Sequence, residues 1–153
     1  MNQYPLVYLD HVQKVYGKHI ALGDVSVNIQ PGRIIGLLGP NGSGKTTIIK
    51  LVNGLLQPTS GNVYIHGEVP SARTKQVVSY LPDTTYLDEN MKISETLRFF
   101  QDFYKDFNVQ RAYQLLNDLQ LHPEQKLKQL SKGNKEKVQL ILVMSREADL
   151  YIL

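Results

Sequence analysis

With 153 residues, 42% of them hydrophobic and 20% charged, the chain has the size and composition of one globular domain with a real core. Its net charge of +3 suits phosphate ligands, but it is too small and dispersed to argue for a nucleic-acid partner; the longest basic cluster, Lys126 to Lys137, is interleaved with acidic and polar residues and reads as a solvated face. The absence of cysteine excludes disulfides and thiol chemistry and is compatible with a reducing compartment, and with no charged leader ahead of an apolar core and no apolar run of bilayer length, work at a membrane is expected to need another chain to hold this one there.

The first elements read as strands. Leu6 to Val12 alternates with apolar residues on both faces, and Val25 to Ile29 alternates cleanly before the Pro31-Gly32 turn, so the two are expected to be antiparallel neighbours. Between them Tyr16, next to Gly17, reads either as an aromatic face presented in a loop or as a buried core tyrosine. The run Ile34, Ile35, Gly36, Leu37, Leu38 reads as an apolar strand that leads into Gly39 to Thr47, GPNGSGKTT, and then into a helix over Lys45 to Leu55.

Strand, glycine loop and helix in that order form a phosphate-binding loop. Gly39, Gly42 and Gly44 let the backbone turn tightly and point N–H groups into one concavity, and Pro40, Asn41, Ser43 and Thr47 are expected with them among the nucleotide-binding residues. The helix beginning near Gly44 adds its positive end. Lys45 brings a mobile positive charge for β- and γ-phosphates, and the hydroxyl of Thr46, followed by Thr47, is placed to ligate the accompanying Mg²⁺.

Further along, Gly54 and Pro58 end the helix, and Asn62 to Ile65 and Val77 to Leu81 read as short strands, the second followed by a Pro82-Asp83 turn and a loop over 84–92. From Ser94 the pattern becomes helical. Ser94 is expected to cap a helix holding Leu97, Phe99, Phe100, Phe103 and Tyr104, whose aromatic density reads either as core or as a partner-docking surface; Asn108 is expected to cap the next, holding Ala112, Tyr113, Leu115, Leu116 and Leu119. Leu130-Ser131-Lys132-Gly133-Asn134 leads into a helix expected over Glu136 to Ser145, with Ser131, Gly133 and the first free N–H groups as a second anion-binding corner. The terminal Leu150 to Leu153 reads as a strand buried inside a sheet.

Taken together, Tyr16-Gly17, GPNGSGKTT, Tyr80-Leu81-Pro82-Asp83, Leu130 to Asn134 and the terminal ADLYIL resemble the nucleotide-binding subunit of ATP-binding cassette (ABC) transporters across essentially the whole chain. The resemblance implies an α/β fold with a P-loop NTPase core, an N-terminal antiparallel β subdomain and an inserted helical subdomain, divided at about 1–92, 93–147 and 148–153, the last being the start of the Walker B strand. It implies ATP and Mg²⁺ as ligands, Tyr16 stacking on adenine, and a second nucleotide-binding subunit, homo- or heterodimeric, whose bound γ-phosphate meets Ser131 and Gly133. It also implies a membrane permease contacted through the loop after Asp83 and the helix from Ser94, and a place on the cytoplasmic face of the membrane.

Three departures stand out. Asp83 takes the place of the family's Q-loop glutamine, as a Mg²⁺ ligand one methylene shorter or as a turn aspartate. Lys132 replaces a signature glycine and Asn134 the signature glutamine, with the Lys132 charge expected to reach toward phosphate. The aspartate and glutamate that follow the Walker B strand in the family, and the later histidine, are not in this sequence, so the chain is expected to be the front part of a longer protein, to have no catalytic residue of its own and to lack turnover. An exporter is the expected transport direction; a non-hydrolysing nucleotide sensor and a soluble ABC-type ATPase are the alternatives.

Overall fold

The computed structural model describes residues 4–84 and 86–153. The chain divides into two compact units, residues 1–78 and 79–153.

The first unit is built on a three-stranded antiparallel sheet in the order β2-β1-β3, with β1 at Val7–Tyr16, β2 at His19–Ile29 and β3 at Ser60–Ile65. β1 is central, with Val7 opposite both Ile29 and Ile65. The antiparallel pairing of the first two strands is as expected. Both are longer than the alternation alone suggests, since they continue to the tight Gly17-Lys18 turn, where Tyr16 pairs with His19. Helix α1 (Lys45–Val52) lays Leu51 and Val52 into a core with Leu9, Val12, Leu22, Val63 and Ile65. It ends three residues before Leu55, where the Asn53 side-chain amide donates to the Ile49 carbonyl (2.9 Å).

One expectation for this unit fails. Ile34 to Leu38 belongs to neither sheet, and Ile34 and Leu38 are 103% and 91% exposed. A run apolar on both faces becomes a strand only when neighbours take its N–H and C=O groups and cover both faces. Among the described residues no strand lies beside it.

The second unit holds α2 (Ile93–Phe103), α3 (Val109–Asp118) and α4 (Lys132–Met144) around Leu97, Phe100, Phe107, Leu116, Val138 and Leu142. Strands β4 (Val78–Tyr80) and β5 (Leu150–Ile152) form a two-stranded sheet, the Leu81 N–H donating to the Ile152 carbonyl at 2.8 Å. β5 is half-buried, not enclosed, because β4 is its sole sheet neighbour among the described residues. Asn108 caps α3 as expected, its Oδ1 accepting from the Arg111 N–H (2.9 Å). Ser94 does not cap α2. The cap lies two residues earlier, at Lys92, with the Glu95 carboxylate accepting from the Lys92 N–H at 2.7 Å. Phe100 is buried, whereas Phe99 and Phe103 stack on each other outside the core, centroids 6.3 Å apart. No helix among the described residues is long and apolar enough to cross a membrane.

Candidate functional site

The phosphate loop lies between the exposed 33–38 segment and α1. The first helical hydrogen bond runs from the Ile48 N–H to the Gly44 carbonyl (2.9 Å). The N–H groups of Lys45, Thr46 and Thr47 therefore stand ahead of the helical ladder at its positive end, with no intrahelical acceptor. Gly44 has φ +89°, and a side-chain carbon there would lie 2.8 Å from the carbonyl oxygen of Ala21. Only glycine lets the loop close onto β2 in this way.

Lys45 is drawn across the loop, its Nζ donating to the carbonyls of Gly39 and Pro40, both at 2.7 Å. Its ammonium is thus held over the turn by two neutral acceptors. Asn41, Gly42, Gly44, Lys45, Thr46 and Thr47 line a cavity of about 250 Å³ together with His19 and Ala21 of β2. At about the lower limit of ordinary small-molecule pockets, this volume suits a phosphate chain better than a whole nucleotide. The free amides, the Lys45 cation and the Thr46 hydroxyl are the donor set that a magnesium triphosphate requires, so these residues fit the group.

Tyr16 is not on that wall. It ends β1 half-exposed, which removes the buried-core reading, with Lys14 Nζ 5.1 Å from its ring centroid. His19 and Ala21 were not legible as site residues. Nothing in their type or spacing marks them, and they reach the cavity because the hairpin brings the start of β2 beneath Gly44.

Gly39, Pro40 and Ser43 do not line the cavity, the Ser43 hydroxyl lying 3.5 Å from Lys45 Nζ, and the other candidates lie in the second unit. Ser131 is the N-cap of α4, its hydroxyl accepting from the Asn134 N–H at 3.2 Å. The helix therefore begins at Lys132, a full turn before the expected Glu136, because the serine satisfies an amide that the first turn leaves unpaired. The Lys132 ammonium lies 3.9 Å from Glu136 one turn on, both side chains exposed. A side-chain carbon at Gly133 would meet nothing within 4 Å, so its own chain does not demand a glycine there. Asp83 is exposed just after β4; burial, with the nearby Asp83 charge adding, holds the Tyr80 phenol above its usual range. Among the described residues no group of three or more His, Cys, Asp or Glu side chains could hold a metal ion.

The sequence model of the ABC transporter family matches residues 22–153. The chain belongs to that family. Among relatives of the ABC chain, the SkfA peptide export ATP-binding protein SkfE of Bacillus subtilis is 34% identical over 97% of this chain and 64% of its own length. The zinc import ATP-binding protein ZnuC of Haemophilus influenzae is 31% identical over 99% and 54%. A solved structure of the ATP-binding subunit of an ABC transporter is 28% identical and superposes with a TM-score of 0.85 over 95% of this chain and 64% of that one. The α/β P-loop fold expected from the sequence is thereby shown. The ABC chain spans about half to two thirds of the length of these relatives.

Proposed function

We propose that this chain provides the ATP-binding part of a subunit that powers a membrane ABC transporter. The observation that carries the reading is the cavity lined by Gly42, Gly44, Lys45, Thr46 and Thr47 at the start of α1, where the first helical hydrogen bond leaves three amides ahead of the ladder. Lys45 would hold the β- and γ-phosphates, and Thr46 would hold Mg²⁺, which would neutralise charge on the phosphates. Tyr16 would take the adenine on its π-face, which makes base selectivity loose.

Ser131, Lys132, Gly133 and Asn134 would meet the γ-phosphate held by a second subunit. Gly133 supports this, since its lack of a side chain is explained by nothing in its own chain and leaves room for an approaching partner. A permease would hold the pair at the cytoplasmic face of the membrane, with the exposed Phe99 and Phe103 among the surfaces offered to it. Closure around ATP would do mechanical work on that permease. Nucleotide binding without turnover is the activity proposed for these 153 residues.

The peptide-export relative supports export; the zinc-import relative favours import as the second reading. The deciding measurement is equilibrium binding of Mg-ATP to the chain and to its Lys45→Ala variant. Binding lost in the variant supports the proposal, and equal binding by both rejects the phosphate loop as its site.

A further inference from the structure

Lys14 and Tyr16, two residues apart on β1, project to the same face of the strand. The Lys14 ammonium donates to the carbonyl of Gln57 at 2.8 Å and stands 5.1 Å from the centre of the Tyr16 ring. Beside it, the Val15 N–H donates to Thr59 Oγ1 (3.0 Å), and the Thr59 N–H donates to the Gln13 carbonyl (2.8 Å). Gln57 and Thr59 lie in the connection that leaves α1 for β3. The strand end that carries Tyr16 is therefore tied at three points to the chain leaving the phosphate-loop helix.

A cation over one face of an aromatic ring is attracted to it and limits its rotation. Tyr16 is 48% exposed, so about half of the side chain stays accessible with Lys14 over its ring. We propose that Lys14 is a positioning residue for the nucleotide base: through its bond to Gln57 it holds the Tyr16 ring with one face covered and the other presented to a purine, at a set distance from the phosphate loop. The proposal rests on the nucleotide-binding reading above. An unsupported surface tyrosine would lose rotamer freedom when a base stacked on it, whereas a ring already held loses less, so the gain is one of preorganisation.

The experiment compares affinities for Mg-ATP and for inorganic triphosphate, which lacks base and ribose, across the wild type, Lys14→Met, Lys14→Arg, Tyr16→Ala and the Lys14→Met/Tyr16→Ala double variant. Lys14→Met is expected to weaken ATP binding about two- to fivefold and leave triphosphate unchanged, a size set by cation–π interactions at exposed sites. Lys14→Arg, which keeps a cation over the ring and a donor, is expected to bind ATP more tightly than Lys14→Met. In the Tyr16→Ala background, Lys14→Met is expected to add nothing.

Equal losses for ATP and triphosphate would make Lys14 a general structural residue and overturn the proposal. So would an unchanged ATP affinity in Lys14→Met, or an undiminished effect in the Tyr16→Ala background. A wild type that binds neither ligand would instead overturn the nucleotide-binding reading itself, and the proposal with it.

Discussion

The backbone of Gly44 rests against the carbonyl of Ala21 so closely that a side-chain carbon would come within 2.8 Å of that oxygen. Gly44→Ala therefore has to move the loop off β2 and adopt a left-handed conformation that alanine disfavours. The expected cost is about 1 to 3 kcal/mol of stability, with Mg-ATP affinity falling at least about tenfold, as an ångström-scale displacement of the amides would cause. Urea unfolding and equilibrium nucleotide binding on the same variant check both. Gly133→Ala, where nothing lies within 4 Å, is the control expected to keep its stability to within about 0.5 kcal/mol.

Arg146 is 4% exposed. Its Nε donates to Asp106 Oδ2 at 3.1 Å, its guanidinium carbon lies 4.1 Å from the centre of the Tyr104 ring, and its carbonyl receives the Tyr151 hydroxyl. Asp106→Ala removes the carboxylate that the buried guanidinium meets at more than one nitrogen and is expected to destabilise the second unit by about 3 kcal/mol. Arg146→Met in the same chain is expected to recover part of the loss, because the buried charge is then removed as well. Urea midpoints of the two single variants and the double variant test this.

The carboxyl of Glu124 is held below its ordinary value of 4.5 by a hydrogen bond from Lys92, whose ammonium is in turn held above 10.5. A lowered acid stabilises the fold above its ordinary value and loses that contribution as pH falls through the folded one. A raised base stabilises below its ordinary value and loses the contribution as pH rises through its own folded one. The Glu124→Gln variant is thus expected to be less stable than the wild type throughout the range between 4.5 and 10.5, with the difference vanishing at more acidic pH. Thermal midpoints of both proteins against pH decide it; a difference that persists unchanged in acid contradicts the account.

Ser131 both caps α4 and is the proposed contact to a partner's γ-phosphate. Ser131→Ala is expected to lower stability by about 1 kcal/mol through loss of the cap. Ser131→Asp keeps a capping oxygen but adds a negative charge, so stability is expected to stay near that of the wild type while ATP-driven dimerisation is lost. Light scattering with and without Mg-ATP, beside a melting curve, separates the two roles.

Local chemistry determined a large part of this protein from the sequence alone. The glycines, lysine and threonine of GPNGSGKTT specify a phosphate cradle by backbone freedom, charge and helix polarity, and Asn108 announces a helix start through its own side chain. Those interactions close within a few residues, so no distant contact is needed to read them. What only the tertiary structure decided depends on neighbours far along the chain. Ile34 to Leu38 has the composition of a central strand yet lies unpaired, because a strand exists only where another backbone meets it. His19 and Ala21 enter the cavity because the β1–β2 hairpin folds beneath Gly44, and Lys14 reaches both Tyr16 and Gln57 because the α1–β3 connection returns to β1. Residue type shows which groups can bind phosphate; only packing between separated segments selects the surface they face.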